Sequence, residues 1–421
     1  MTNEQRKYLK TCAEQYRSDL LGDILPFWFK HGVDHEHGGV YTCLDRDGAL
    51  MDTTKSVWFQ GRFGYVCAYA YNNVEQNPEF LAVSKSCIDF IENHCIDTDG
   101  HMFFTVTADG KPVQKRRYVF SECFASIAMA EYAKATGSNE YAEKSLAMFK
   151  NILRMLNTPG FLQPKTTVEG ISHSITMMLI NVAAVVKQVI SDPVLDEQID
   201  KSLFDIEHYL MNREYKTILE AVAPDGSLID TIAGRTINPG HCIETAWFIM
   251  EVARGREDEK HLNEVALTIL DWAYDWGWDD EFGGVINFRD CRNFPPQDYS
   301  QDMKFWWPQC ETIIAALYAY LISGDEKYLE MHRKAHDWAY SHHKDSEFGE
   351  WYGYLHRDGS VAQPAKGNIF KGPFHVPRMM IRSALLCDKI LNQEPNERDI
   401  RNIDCFGAVG TLGSCLHPRS V

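Results

Sequence analysis

The chain has 421 residues, is 45% hydrophobic and contains 28 Gly and 16 Pro, enough apolar material for a large core. A formal net charge of -17 argues against nucleic acid as a partner, because a phosphate backbone needs a basic stripe and none is visible. The polar start Met1 to Lys10 and the lack of any run near the roughly 18–20 apolar residues of a membrane span argue against a signal peptide and a transmembrane segment.

Taken in chain order, segments of helical period cover 4–30, 55–73, 77–95, 118–136, 139–157, 173–191, 195–213, 241–255, 259–276, 304–322, 325–343 and 374–392. Sequential partners are separated by short breakers such as Asn77-Pro78, Thr136-Gly137-Ser138 and Ser323-Gly324-Asp325. Between pairs lie recurring turns. Asp34 to Gly39 (Asp-His-Glu-His-Gly-Gly) resembles Asp279 to Gly284 and Asp345 to Glu350, with weaker versions near Asp97, Thr158 and Leu219. Aromatic or β-branched stretches after these turns predict small β-hairpins. The six starts recur at a period of roughly sixty residues, the mark of a repeat fold. Twelve helices in six units predict an all-α closed (α/α)6 barrel, as one domain over 1–392; an open helical solenoid is the alternative. Residues 393–421 lose the helical period and read as a loosely ordered tail.

Twelve cysteines are scattered singly, with no C-x-x-C pair, and most lie among helical apolar residues. This predicts reduced thiols, a cytoplasmic location, and neither zinc nor disulfides. No H-E-x-x-H, P-loop or G-x-G-x-x-G pattern is present, so no metal site is expected. His31, His35 and His37 span a solvated turn, and His342-His343 reads as an exposed helix end.

Every second helix begins with a polar or aromatic cluster: Trp58 with Gln60 and Arg62, Phe120 with Glu122, His173 with Met177, Asn238 with His241 and Glu244, Trp306 and Trp307 with Glu311, and His375 with Arg378. In a closed barrel the starts of six parallel inner helices face one mouth, so these groups would converge on a pocket whose tryptophans can stack on a sugar ring. Each has a structural reading too. Arg62 could pack on Trp58 beside a buried carboxylate, Glu122 could be a first-turn charge, His173 a residue of the helix start, and His241 and Glu244, three apart, a simple structural pair.

The same clusters resemble the N-acylglucosamine 2-epimerase (renin-binding protein) family, from about Phe27-Trp28 to about Leu391. They include Trp58-Phe-Gln-Gly-Arg62, Phe120-Ser-Glu-Cys-Phe124, Asn238-Pro-Gly-His241, Lys304-Phe-Trp-Trp-Pro308, Glu350-Trp-Tyr-Gly-Tyr354 and Lys371 to Arg378 (Lys-Gly-Pro-Phe-His-Val-Pro-Arg). The resemblance implies an (α/α)6 barrel that interconverts N-acetylglucosamine and N-acetylmannosamine in sialic acid metabolism. It implies His241 and His375 as acid/base pair, supported by Arg62, Glu244 and Glu311, in a homodimer activated by ATP without a catalytic cofactor.

Inverting C2 requires removing the proton next to the open-chain aldehyde and returning one from the other face, for which two imidazoles suffice. Glu244 and Glu311 are expected to orient them and Arg62 to hold the charge on O1. Trp58, Gln60, Glu122, Met177, Trp306, Trp307 and Arg378 are expected to contact the sugar. The rivals are an aldose–ketose isomerase or another 2-epimerase on the same scaffold, a glycoside hydrolase using Glu122, Glu244 or Glu311, and a non-catalytic binding protein.

Overall fold

The computed structural model describes residues 1–162 and 169–393. The predicted tail, from 394 onward, lies outside them. Helices dominate: α1 (Asn3–Asp19) and α2 (Leu25–His31) are joined through a π turn, and then come α3 (Val57–Asn73), α4 (Pro78–Phe90), α5 (Phe120–Thr136), α6 (Asn139–Asn157) and α7 (His173–Lys187). They continue with α8 (Pro193–Asp205), α9 (Pro239–Ala253), α10 (Glu259–Gly277), α11 (Trp306–Ser323), α12 (Glu326–His342) and α13 (His375–Asn392).

The boundaries follow from local chemistry. Asn77, Ser138, Asp192 and Asp325 each cap a helix by accepting a hydrogen bond from a first-turn amide, satisfying donors the helix itself leaves free. Gly137 and Gly324 end α5 and α11 in the left-handed conformation, where a side chain would be strained.

Two layers form. Helices α3, α5, α7, α9, α11 and α13 pack in that order around a ring, and α13 returns to α3. Each is apolar on most sides; in α11 every residue from Pro308 to Tyr320 is buried. The outer helices α4, α6, α8, α10 and α12 each pack on the inner helix that precedes them, whereas α1 packs on α13. The first helix is thus the outer partner of the last, and the ring is closed. An open solenoid is ruled out by that contact.

The loops bind neighbouring repeats to one another as well as folding back on themselves. The short strand ahead of α3, Lys55–Ser56, pairs with Thr105–Val106 of the next loop, and Lys304–Phe305 ahead of α11 pairs with Tyr354–Leu355. The Asp-x-Glu-x-Gly turns are closed by single bridges, Val33 to Val40, Trp278 to Val285 and Lys344 to Trp351. Each turn aspartate accepts from the glutamate amide two residues on and from a fully buried lysine: Asp34 from Lys55, Asp279 from Lys304 and Asp345 from Lys366. Burial of the ammonium is offset by the carboxylate and by loop carbonyls such as Gly38 O at 2.7 Å from Lys55. In the third turn Glu350 takes the place of Gly39 and Gly284 at φ 55°, and its carboxylate receives Lys371 Nζ at 3.2 Å, just ahead of α13.

The ten cysteines among the described residues are buried and unpaired. No helix among the described residues is long and apolar enough to cross a membrane. The exposed helix end expected at His342-His343 is corrected in part: His343 is fully buried, its Nδ1 2.8 Å from Tyr352 O, because the chain after α12 folds back over it.

Candidate active site

A cavity of about 680 Å³ opens at the end of the barrel where the six inner helices begin, and all six contribute to its wall. Trp58 and Arg62 come from α3, Phe120 and Phe124 from α5, Met177 and Asn181 from α7. His241 and Glu244 come from α9, Trp306 and Trp307 from α11, His375 and Arg378 from α13.

The cap of α9 sets His241. Asn238 accepts from the His241 amide at 3.1 Å, and Pro239 occupies the first turn, where its missing N–H costs nothing. The imidazole's Nδ1 lies 3.0 and 3.1 Å from the two oxygens of Glu220, a loop residue between the short strands Thr217–Ile218 and Ala221–Val222. Glu220 also meets His173 Nδ1 at 3.2 Å, and His173 Nε2 is 2.7 Å from the Thr245 hydroxyl. Burial alone would push the His241 pKa down, but the Glu220 carboxylate outweighs it and the net direction is up.

His375 is the first residue of α13 and is held differently. Its Nδ1 lies 2.7 Å from Glu311 Oε1, while Glu311 Oε2 accepts from Trp247 Nε1 at 2.9 Å. Arg378, one turn along, donates to Glu311 at 2.7 Å and to Glu244 at 2.5 Å. Burial, with the positive charges of Arg378 and Arg62, drives the His375 pKa well below its ordinary value. A carboxylate can only accept, so in both imidazoles Nδ1 donates and Nε2 is left for the cavity. Trp307 touches both rings, with centroids 5.2 Å from His241 and 5.8 Å from His375.

Arg62 settles on aromatic faces, 4.1 Å from the Phe124 centroid and 4.8 Å from that of Phe374, with no carboxylate in hydrogen-bond reach. The buried partner that a purely structural arginine requires is missing. Burial and the neighbouring Arg378 lower its pKa to about 9, which leaves it a cation at neutral pH. Ligand atoms of Glu244, Glu311 and His375 lie within 4.8 Å of one another, and the Arg378 guanidinium supplies the positive charge that bridges them.

Of the residues expected in the site, His241, His375, Arg62, Glu244, Trp58, Met177, Trp306, Trp307 and Arg378 line the cavity, and Glu311 stands directly behind His375. Two do not reach it. Gln60 turns back to the preceding loop, accepting from Val40 N at 2.8 Å and donating to Val40 O at 2.9 Å. Its twin Gln309 does the same to Val285. Glu122 occupies the equivalent place on α5, fully buried, accepting from Met102 N and meeting His101 Nδ1 at 2.7 Å. These three side chains fasten loop to barrel, because a loop amide buried under the helix start needs a partner more than the sugar does. Glu244 is corrected in role: it holds Arg378 instead of an imidazole. Glu220 went unrecognised in the sequence because it sits in a loop with no distinctive neighbours.

The family model described as N-acylglucosamine 2-epimerase (GlcNAc 2-epimerase) matches residues 39–371. An N-acylglucosamine 2-epimerase of Rattus norvegicus is 34% identical over 404 residues, covering 92% of this chain and 94% of the relative. Among solved structures, the cellobiose 2-epimerase of Spirochaeta thermophila DSM 6192 superposes with a TM-score of 0.80 at 20% identity, over 93% of this chain and 100% of that one. A D-mannose isomerase superposes with a TM-score of 0.72 at 16% identity, over 91% and 97%.

Proposed function

The chain belongs to the N-acylglucosamine 2-epimerase family, and from that premise we propose that its cavity interconverts N-acetyl-D-glucosamine and N-acetyl-D-mannosamine by proton transfer at C2. One observation carries the reading: two imidazoles in one cavity, each with Nδ1 tied to a carboxylate and Nε2 free, and with pKa values moved in opposite directions. The shifts favour the neutral form of His375 and the protonated form of His241, the division of roles that a two-base epimerisation needs.

In the forward step His375 Nε2 takes the C2 proton of the open-chain sugar. The electron pair moves into the C1–C2 bond and negative charge gathers on O1. Arg62, a cation hydrogen-bonded to no carboxylate, is placed to hold that charge. His241 then gives a proton to the other face of C2, and the imidazoles recover their states through solvent. Trp58, Trp306 and Trp307 supply flat apolar faces to the sugar. Glu311 and Glu220 are positioning residues, each holding its imidazole through Nδ1 as the triad carboxylate does.

The same wall chemistry suits an aldose–ketose isomerase, which returns the proton to C1 instead; the D-mannose isomerase likeness makes that the second reading. A retaining or inverting hydrolase needs two working carboxyl groups, whereas Glu244 and Glu311 are both engaged by Arg378. The deciding experiment incubates N-acetylmannosamine with purified protein in heavy water, with and without ATP. Appearance of N-acetylglucosamine with deuterium at C2 supports the proposal, while a ketose product, or no reaction on any N-acetylated hexosamine, overturns it. Family membership brings three further proposals with it: service to sialic acid metabolism in the cytoplasm, activation by ATP, and a homodimer.

A further inference from the structure

We propose that Asn181 reads the acylamido group at C2 of the substrate, an inference that rests on the epimerase reading above. Helix α7 turns one face to the cavity, carrying Ser174, Met177, Met178 and, two turns in, Asn181. Asn181 is only 5% exposed, its carboxamide makes no hydrogen bond to the described residues, and what accessibility it keeps includes the amide atoms, which therefore open to the cavity. The other carboxylates and carboxamides that line the cavity are all engaged: Glu244 by Arg378, Asn238 by the His241 amide, Asn287 by Ser300, and Asp298 by Ser300. An amide that opens to a cavity and binds no protein group adds nothing to packing, and asparagine is a weak former of mid-helix structure, so neither packing nor propensity explains this residue. A ligand in the cavity does.

The chemistry of the gap narrows that ligand. A carboxamide offers one acceptor and two donors without charge, which is the complement of another amide and not of a phosphate or carboxylate. Apolar surface for the acyl methyl adjoins it in Met177 and Met178, and Phe124 faces the same cavity. The position also fits. Met177 lies 3.4 Å from the Thr245 hydroxyl, Thr245 meets His173, and the His173 ring stands 6.1 Å from that of His241. Asn181 follows Met177 by one turn on the same cavity face of α7, the helix that packs against the α9 of His241. An acylamido nitrogen is bonded to the very carbon the histidines flank, so its reader has to stand beside them. A sugar with a bare C2 hydroxyl is too short to replace the bond and would leave Asn181 unpaired, which is how a buried polar group rejects an analogue.

The test compares wild type with Asn181→Ala and with Asn181→Leu, which keeps the volume. Measured are kcat and KM for N-acetylmannosamine and the inhibition constant of mannose as competitor. The expected result is a rise of about tenfold in KM for the acylated sugar, the weight of one hydrogen bond, with mannose binding unchanged or tighter. Discrimination between the two sugars then falls by the same factor in both variants, a ratio that a general loss of folded protein would not move. Unchanged discrimination in an active variant overturns the assignment while the epimerase reading stands. Failure of the wild type to turn over N-acetylmannosamine removes both.

Discussion

Nδ1 of His241 lies 3.0 Å from Glu220, a carboxylate delivered by a loop, while Glu244, its neighbour one turn along the same helix, faces Arg378. The acid of the pair is therefore tuned chiefly from outside its own helix, with Glu244 adding a smaller field. Replacing Glu220 with Gln removes the charge that raises the His241 pKa and keeps the shape. The limb of the pH–kcat/KM profile that reports His241 is expected to move to lower pH, with kcat down about ten- to hundredfold, a typical cost for a group that orients a catalytic imidazole. A profile identical to wild type would show that Glu220 leaves His241 untouched.

Single removal of each imidazole separates the two faces of C2. His241→Gln is expected to lower epimerisation by about 10²–10⁴-fold, the usual worth of a general acid or base. His375 then still exchanges the C2 hydrogen with solvent in the epimer it can deprotonate. His375→Gln should show the mirror behaviour. Proton NMR in heavy water, following loss of the C2 signal against appearance of the second epimer, makes the distinction; equal loss of exchange for both epimers in one variant contradicts it.

Gln60→Ala is a test of structure against substrate contact. It leaves the buried N–H and C=O of Val40 without partners and should cost about 1–3 kcal/mol in urea unfolding. KM for the sugar is expected to stay at the wild-type value. A large rise in KM at unchanged stability would return Gln60 to the binding site.

Most of the architecture can be read along the chain because its signals are local. Asn77, Ser138 and Asp325 cap helices whose apolar period is evident, and Gly137 and Gly324 end others. The convergence of His241, His375, Arg62 and Arg378 is legible once the helix starts are known to share a mouth. What escapes is direction. Nothing in the residues of Phe120 to Phe124 says that Glu122 turns back to its loop while Arg62, also near a helix start, turns inward. The buried lysines Lys55, Lys304 and Lys366 are equally invisible, since each finds its aspartate only after the loop has closed. Asn181 hides for the opposite reason, in the middle of a helix whose other residues are apolar.

Buried histidines predict how the fold responds to acid. Between α1 and α12, Tyr16 Oη lies 3.0 Å from His332 and 2.8 Å from His336. Burial lowers the pKa of His336 to about 4 and that of His332 well below its ordinary value. Unfolded histidine takes up its proton near pH 6.5, so between about 6.5 and about 4 the unfolded chain binds more protons at these two sites than the folded one. Stability is therefore lost as pH falls through that window. Thermal midpoints at pH 7 and pH 5 should differ, and the difference should shrink in His336→Phe; an equal slope in the variant would contradict the assignment.

The seam between α1 and α13 has a consequence for biosynthesis. During translation the ribosome releases an arc with a gap, and the face of α1 that packs on α13 has no cover until α13 arrives. Before α13 is made the cavity lacks His375 and Arg378, because the helix that brings them is also the one that seals the circle.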